Sequence, residues 1–389
     1  MQAINSLFSE SLVIGGHYDG RMQNAQAALS QTKDAIDHYI CEQMQLLLPT
    51  LIKEAGIPKN SFPPELWSIL NATMMGGKRY RALAAVIGAA MAHDAEEPST
   101  ATKMALQTPF IWNLIFALEL YQAAALVHDD IVDRAETRRG LPSTYVALRA
   151  HHRSEKWFGD PNHFGKAAGI LVGDLLLATA DSQAAKCDKK VTNRFLLMVQ
   201  EVALGQYLDL SASQQGPGTN NNEVEDSLSV VRLKSARYSV THPLTLGALA
   251  AGDSDEAVAA IEQAFEPVGV AFQLQDDHLG IWGAPDVTGK PSGSDIIEGK
   301  RTTLLALTAK HSDNDSKALL QKIYAKESRT AEDVAVVQRI MEQYGLAPHQ
   351  KLIENATEES TKAIQRLAIS PGAKALAKCH AANLTKRSF

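Results

Sequence analysis

Two groups of carboxylates are the most chemically suggestive residues in this chain. Asp129-Asp130-Ile131-Val132-Asp133 closes one long apolar stretch, and Gln273-Leu274-Gln275-Asp276-Asp277 closes another. On a helix, positions i and i+4 lie about 40° apart, so Asp129 and Asp133 share a face with Asp130 beside them. Carboxylates so close repel each other unless a cation lies between them. Magnesium suits the set, because it takes oxygen ligands from one or two carboxylates and fills its octahedron with water and substrate phosphates. A solvated acidic helix end would account for the first group alone, although it opposes the helix macrodipole. The second group repeats the arrangement, with Gln273 one turn before Asp276 and Asp277 and facing the same space. Acids at the ends of two apolar stems describe a metal-binding rim over a greasy cavity. Such a site fits a molecule with a diphosphate head and a hydrocarbon tail.

The basic residues fit the same picture. Gly76-Gly77-Lys78-Arg79-Tyr80-Arg81 places Lys78 and Arg81 at a helix start, where backbone N–H groups also favour anions. Arg138-Arg139-Gly140 follows the first acids by one loop. Lys234 interrupts an otherwise apolar helix, and Lys290 and Lys300 lie in the Pro/Gly/Ser loop after the second acids. Any one of these reads most simply as a solvated surface charge. As a set bordering both acidic helices, they are phosphate binders, Arg as a planar fork and Lys as a mobile point charge.

Long helices must position these groups. Apolar residues recur at helical spacing with Ala, Leu, Gln, Glu and Lys between them, and no β-branched run alternates over strand length. The pattern predicts helices over 101–132, 166–185, 193–211, 223–251 and 255–280, and shorter amphipathic ones beyond Thr302. Loops are expected at 56–64, 93–100, 135–164 and 213–222. The reading is one all-α domain, 1–389, with its motif-bearing core at about 74–303.

Composition excludes several function classes. With 45% hydrophobic residues in 389, the chain can bury a large core without disulfides. A net charge of −6 gives no global reason to seek nucleic acid or anionic lipid. Cys41, Cys187 and Cys379 are scattered and form no CxxC pair, as expected in a reducing cytoplasm. The first sixteen residues carry Glu10 and no basic residue, unlike a signal peptide. The run from Ala82 to Ala92 is too short to cross a bilayer and Asp174 interrupts another, so no transmembrane segment is expected.

In this order, the motifs resemble those of the trans-isoprenyl diphosphate synthases. Gly76 to Arg81, Asp129 to Asp133, Arg138 to Gly140, Gly205-Gln206-Tyr207-Leu208-Asp209, Lys234-Ser235-Ala236, Phe272 to Asp277, and Thr288-Gly289-Lys290 leading to Lys300 carry the resemblance. Loop style and Gln122 look most similar to actinobacterial geranylgeranyl diphosphate synthases. The resemblance implies a helical bundle of the isoprenoid synthase type, a homodimer, and condensation of isopentenyl diphosphate with dimethylallyl, geranyl or farnesyl diphosphate. It implies that Asp129, Asp130 and Asp133, with Asp276 and Asp277, hold three Mg²⁺ on the allylic diphosphate. Arg138, Lys234 and Lys290 would contact that diphosphate, and Lys78, Arg81, Gln122 and Arg139 would bind isopentenyl diphosphate. Ser235, Gln206 and Gln273 would direct oxygen dipoles at the developing allylic cation, and Lys300 and Asp295 would belong to a closing loop.

Two positions depart from that pattern. Gly280 stands where the second acidic motif usually ends in a third Asp, which implies weaker metal affinity. Gln122 stands where many relatives have His, and it keeps a hydrogen bond for phosphate. Product length follows from the stem below Asp129. Ala125 and Ala124 leave open the level where farnesyl synthases of the family commonly place an aromatic, and Tyr121 closes the next turn. One turn is about 5.4 Å, roughly one isoprene unit, so a C20 product is expected. Farnesyl or longer-chain synthesis, a class I terpene cyclase and a non-catalytic partner subunit are the alternatives. A cyclase leaves Lys78, Arg81 and Arg139 without a second diphosphate to bind, and intact Asp129, Asp130 and Asp133 argue against a silent subunit.

Overall fold

Strong helix formers and few β-branched runs give a bundle of helices. The computed structural model describes residues 20–58, 64–284 and 292–385; Lys290 and the Thr288-Gly289 pair before it lie outside them. The helices are α1 (Gly20–Glu54), α2 (Pro64–Met74), α3 (Tyr80–Met91), α4 (Pro98–Ala105) and α5 (Ile111–Val132). After a short hairpin, β1 (Thr137–Arg138) and β2 (Leu141–Pro142), come α6 (Thr144–Ser154), α7 (Pro161–Ala184), α8 (Lys189–Ser213) and α9 (Glu223–Val230). A π-helical segment, Val231–Thr241, leads into α10 (His242–Ala250) and α11 (Asp255–Trp282). The chain closes with α12 (Ser294–Glu298), α13 (Thr303–His311), α14 (Asn314–Tyr324), α15 (Ala331–Tyr344), α16 (Leu346–Arg366) and α17 (Pro371–Thr385).

The main apolar core takes side chains from α1, α3, α5, α7, α8, α10, α11 and α17. A second cluster joins the end of α11 to α12, α13, α14 and α15 through Ile281, Ile296, Leu305, Tyr324 and Val337. α11 serves both: Phe265 and Phe272 belong to the first and Ile281 to the second. Asp276 and Asp277 therefore sit at the junction between two packed units. α5 is long and apolar enough to cross a membrane, but most of its apolar stretch is buried inside the protein. Its one buried acid in mid-helix, Glu119, accepts from Arg79 at 2.7 Å.

Four expectations change. The helix predicted over 101–132 breaks between Leu106 and Phe110, because Pro109 disfavours helical backbone before it and Phe110 takes a φ of 61°. The loop expected at 135–164 contains α6, whose Tyr145, Leu148 and His152 form a buried stripe. It also contains the hairpin, whose loop residues Arg139 and Gly140 both have positive φ, as a type I′ turn requires. The helix over 223–251 changes register to i→i+5 bonding in its middle, and its tail resumes at His242-Pro243.

Candidate active site

The carboxylates at the end of α5 are held by cations. Arg138 stands on β1, eight residues beyond Asp130, and donates to its Oδ1 through Nε at 2.9 Å and also through Nη2. The same guanidinium lies 3.5 Å from Asp129 Oδ2. From the opposite side, Lys234 Nζ lies 3.7 Å from Asp129 Oδ1 and donates to Asp209 at 2.6 Å. Burial works against the Lys234 charge, but Asp209 and Asp129 outweigh it and keep the ammonium protonated. Asp133 is less compensated: burial, then repulsion from Asp129, push its carboxyl up to about 6.

Close packing puts Lys234 in this place. A Cβ at Gly205 of α8 would lie 2.6 Å from the Lys234 nitrogen, and one at Gly269 of α11 would lie 2.6 Å from the Ala236 carbonyl oxygen. The π-helical backbone is thus clamped between two glycines, one on each neighbouring helix. π-helical turns recur at functional sites because they re-aim side chains within a continuous helix. Here Lys234 and Ser235 both line the cavity.

The second acidic wall is more buried. Burial pushes Asp277 up to about 8, against a hydrogen bond from Gln273 and with added repulsion from Asp295 and Asp276. Gln273 Nε2 donates to Asp277 Oδ1 at 2.9 Å, and Gln206 Nε2 donates to Asp129 Oδ1 at 3.3 Å. The Asp129 carboxylate only accepts, which turns the NH₂ end of Gln206 toward it, and Gln273 likewise directs its NH₂ to Asp277. Lys300 Nζ donates to Asp295 at 3.1 Å and lies 3.0 Å from Glu298. Burial opposes its charge, yet Asp295, Glu298 and Asp133 together raise its pKa.

The residues expected to bind the second diphosphate fall into two pairs. Arg139, turned back by the hairpin, donates to the Met75 carbonyl oxygen at 3.0 Å, beside exposed Lys78. Arg81 donates to Ser239 at 2.7 Å and stacks 4.0 Å over the Tyr238 ring, whose hydroxyl donates to Gln122 Oε1 at 2.5 Å. Arg79, between the two pairs in sequence, is an anchor. Buried at a φ of 54°, it donates to Asp37, Glu119 and the Met74 carbonyl oxygen, tying this turn to the stem of α5.

A cavity of about 810 Å³ joins part of this set. Lys78, Asp129, Asp133, Lys234, Ser235, Gln273, Asp276, Asp277 and Lys300 line it, with Leu29, Leu83, Val230, Val231 and Leu279 as its apolar share. Arg81, Gln122, Asp130, Arg138, Arg139 and Gln206 stand outside its lining, as do Tyr121, Ala124 and Ala125. Ala124 is buried in α5, and Tyr121 packs edge-on against Phe195 and Tyr238 as closed core. Reading the sequence assigned no role to Asp209, although it closes the Gly205–Asp209 motif, and missed both Arg301, which lines the cavity, and the anchoring function of Arg79. The spacing of Asp209 from Gln206, three residues along α8, was a further signal.

The donor set suits a hard cation, since every acid facing the cavity offers oxygen alone. Among the described residues no three carboxylate, imidazole or thiol groups converge on one point, and the space between the walls admits phosphate oxygens and water. Facing acids, a cationic border and a cavity within an all-α bundle define a diphosphate-handling synthase. The polyprenyl synthetase family model matches residues 63–343, and the chain belongs to that family of trans-prenyltransferases. It is 33% identical over 224 residues to a geranylgeranyl diphosphate synthase of Mycobacterium tuberculosis, covering 56% of this chain and 58% of that enzyme. It is 30% identical to a geranylfarnesyl diphosphate synthase of Aeropyrum pernix, covering 71% of this chain and 75% of the other. The structure of a Corynebacterium glutamicum geranylgeranyl pyrophosphate synthase with isoprenyl diphosphate and magnesium aligns with a TM-score of 0.79 and 30% identity, covering 91% of this chain and 98% of that one.

Proposed function

We propose that this prenyltransferase condenses isopentenyl diphosphate with an allylic diphosphate and stops at the C20 product, geranylgeranyl diphosphate. The observation that carries the chemistry is the pair of glutamines, Gln273 lining the cavity and Gln206 beside Asp129, each donating through its NH₂ to an aspartate. Their oxygens, with the Ser235 hydroxyl, direct negative dipoles toward an allylic cation formed between the walls. Magnesium, when bound, supplies Lewis acidity to the departing pyrophosphate. Asp129, Asp130 and Asp133 on one side and Asp276 and Asp277 on the other would hold three such ions. Lys234, Arg138, Lys290 and Lys300 hold the leaving group, while Lys78, Arg81, Gln122 and Arg139 hold the second diphosphate. Burial keeps water from the cation.

The C20 limit rests on α5. Its support is Tyr121, one turn before Ala124 and Ala125, which packs against Phe195 and Tyr238 outside the cavity lining and would stop a tail that advances along α5. Tyr121→Ala lengthens the product and Ala124→Phe shortens it to C15. Chromatography of dephosphorylated products from Mg²⁺, isopentenyl diphosphate and each allylic primer tests both statements. Cyclic hydrocarbon formed without isopentenyl diphosphate marks a cyclase, and no product marks a silent subunit. We further place the protein in the cytoplasm as a homodimer of one-domain chains. Support comes from Cys41, Cys187 and Cys379 being scattered with no CxxC pair, from α11 joining the apolar clusters, and from exposed Leu197, Leu204 and Leu208 recurring along α8.

A further inference from the structure

Part of the second acidic wall comes from a different helix. Position 280 lies four residues after Asp276 on α11 and so shares its face, yet it is glycine. The space its side chain would fill is taken by Asp295. A Cβ at Gly280 would lie 2.0 Å from Asp295 Oδ2 and 2.5 Å from the carboxyl carbon. Asp295 stands on α12, is only 8% exposed, and lines the cavity together with Asp276, Asp277 and Gly280. Its Oδ1 accepts from Lys300, so Oδ2 is the oxygen turned toward α11. Ile296, the next residue, is fully buried in the second apolar cluster, which fixes α12 and the carboxylate with it. Lys300 also lies 3.0 Å from Glu298, so its ammonium keeps a partner if Asp295 turns away.

We propose that Asp295 is a ligand of the divalent cation held by Asp276, completing across two helices the acid face that α11 leaves open at Gly280. This rests on the magnesium reading above. Glycine at 280 is then a requirement, because even a methyl group there displaces the carboxylate. The open position in the acidic motif is a relocated oxygen donor, and no loss of affinity follows from it.

The test titrates Mg²⁺ into protein loaded with inorganic pyrophosphate, followed by calorimetry and by melting temperature, with no turnover involved. Asp295→Asn removes the donor at constant size, and Gly280→Ala displaces it at constant charge. Both are expected to weaken Mg²⁺ binding about tenfold. Titration with Mg²⁺ alone separates this role from mere anchoring of Lys300, which holds the pyrophosphate: a metal ligand predicts the loss in Asp295→Asn without pyrophosphate as well, an anchor predicts it only with pyrophosphate bound. Melting without Mg²⁺ checks folding, and Gly280→Ala carries the test alone if Asp295→Asn does not fold. Both variants binding within about twofold of the wild type, while Asp276→Ala loses the ion, overturns the assignment of Asp295 and leaves the magnesium reading standing. Unchanged binding in Asp276→Ala overturns both.

Discussion

The two acidic walls carry the same chemistry in opposite electrostatic settings. At the end of α5, Arg138 and Lys234 already neutralise Asp129 and Asp130, and Asp209 steadies Lys234 in turn. On α11, Asp277 accepts from the neutral amide of Gln273, its one hydrogen-bond partner among the described residues, and burial pushes its carboxyl up to about 8. The first wall is organised before any ligand arrives. The second is completed by the ligand, because a cation of high charge compensates the Asp277 carboxyl that burial has kept partly protonated.

This contrast is sharpest in single-acid variants. Asp129→Ala and Asp276→Ala should each lower kcat at least about 10³-fold, since each removes a group that acts only on the developing charge. Far-UV circular dichroism and melting should find both folded, Asp129→Ala because Arg138 retains Asp130 and Lys234 retains Asp209. Turnover at the wild-type rate in either variant would remove that wall from the reaction.

Next comes the clamp that aims Lys234 at the first wall. Gly269→Ala should destabilise the protein by about 1–3 kcal/mol in urea unfolding, because the methyl group meets backbone that cannot yield. It should also lower kcat, as Lys234 shifts with the π-helical segment. A neutral effect on both would mean that this backbone relaxes freely.

The pH dependence of stability distinguishes the walls in the unliganded protein. Asp133 and Asp277 have folded-state values raised to about 6 and about 8, above the unfolded carboxylate value of 3.8. Between these limits the folded state binds more protons than the unfolded state, so stability falls as pH rises. Below about pH 6.5 the buried, neutral His278, His349 and His380 act with the opposite sign, so melting temperature should decline from about pH 6.5 to about pH 8, and Asp277→Asn should remove that decline. Mg²⁺ with pyrophosphate should flatten it and release protons near neutral pH, read by calorimetry in buffers of different ionisation enthalpy. A flat profile without Mg²⁺ contradicts the buried, protonated state of the second wall.

The smallest effect concerns the border. Lys78→Ala should raise the KM for isopentenyl diphosphate about tenfold and that for the allylic substrate much less, as expected for one lost exposed charge contact. An equal rise in both KM values would merge the two diphosphate sites into one.

Much of this was legible in the chain itself. The aspartates at 129 and 133 share a helix face because period 3.6 is a property of the local backbone, and apolar stems before them must be buried wherever they pack. The residues Arg139-Gly140 could be read as important, but their turning back of the hairpin became visible only with the positive φ of both. The same holds for Pro109, whose interruption of a helix was outweighed by the apolar pattern around it.

The sequence by itself determined an all-α bundle, the two acidic stems, the cationic residues near them and the class of chemistry they perform. Only the tertiary structure decided which cation meets which carboxylate. Lys234 meets Asp209 across 25 residues, and Arg79 meets Glu119 across 40. It also decided that Gly205 and Gly269 clamp the backbone between them, and that Asp295 fills the place beside Gly280. Helical periodicity needs only neighbours along the chain. These contacts depend on how closely separate helices approach, and that distance is set by the packing of the whole core.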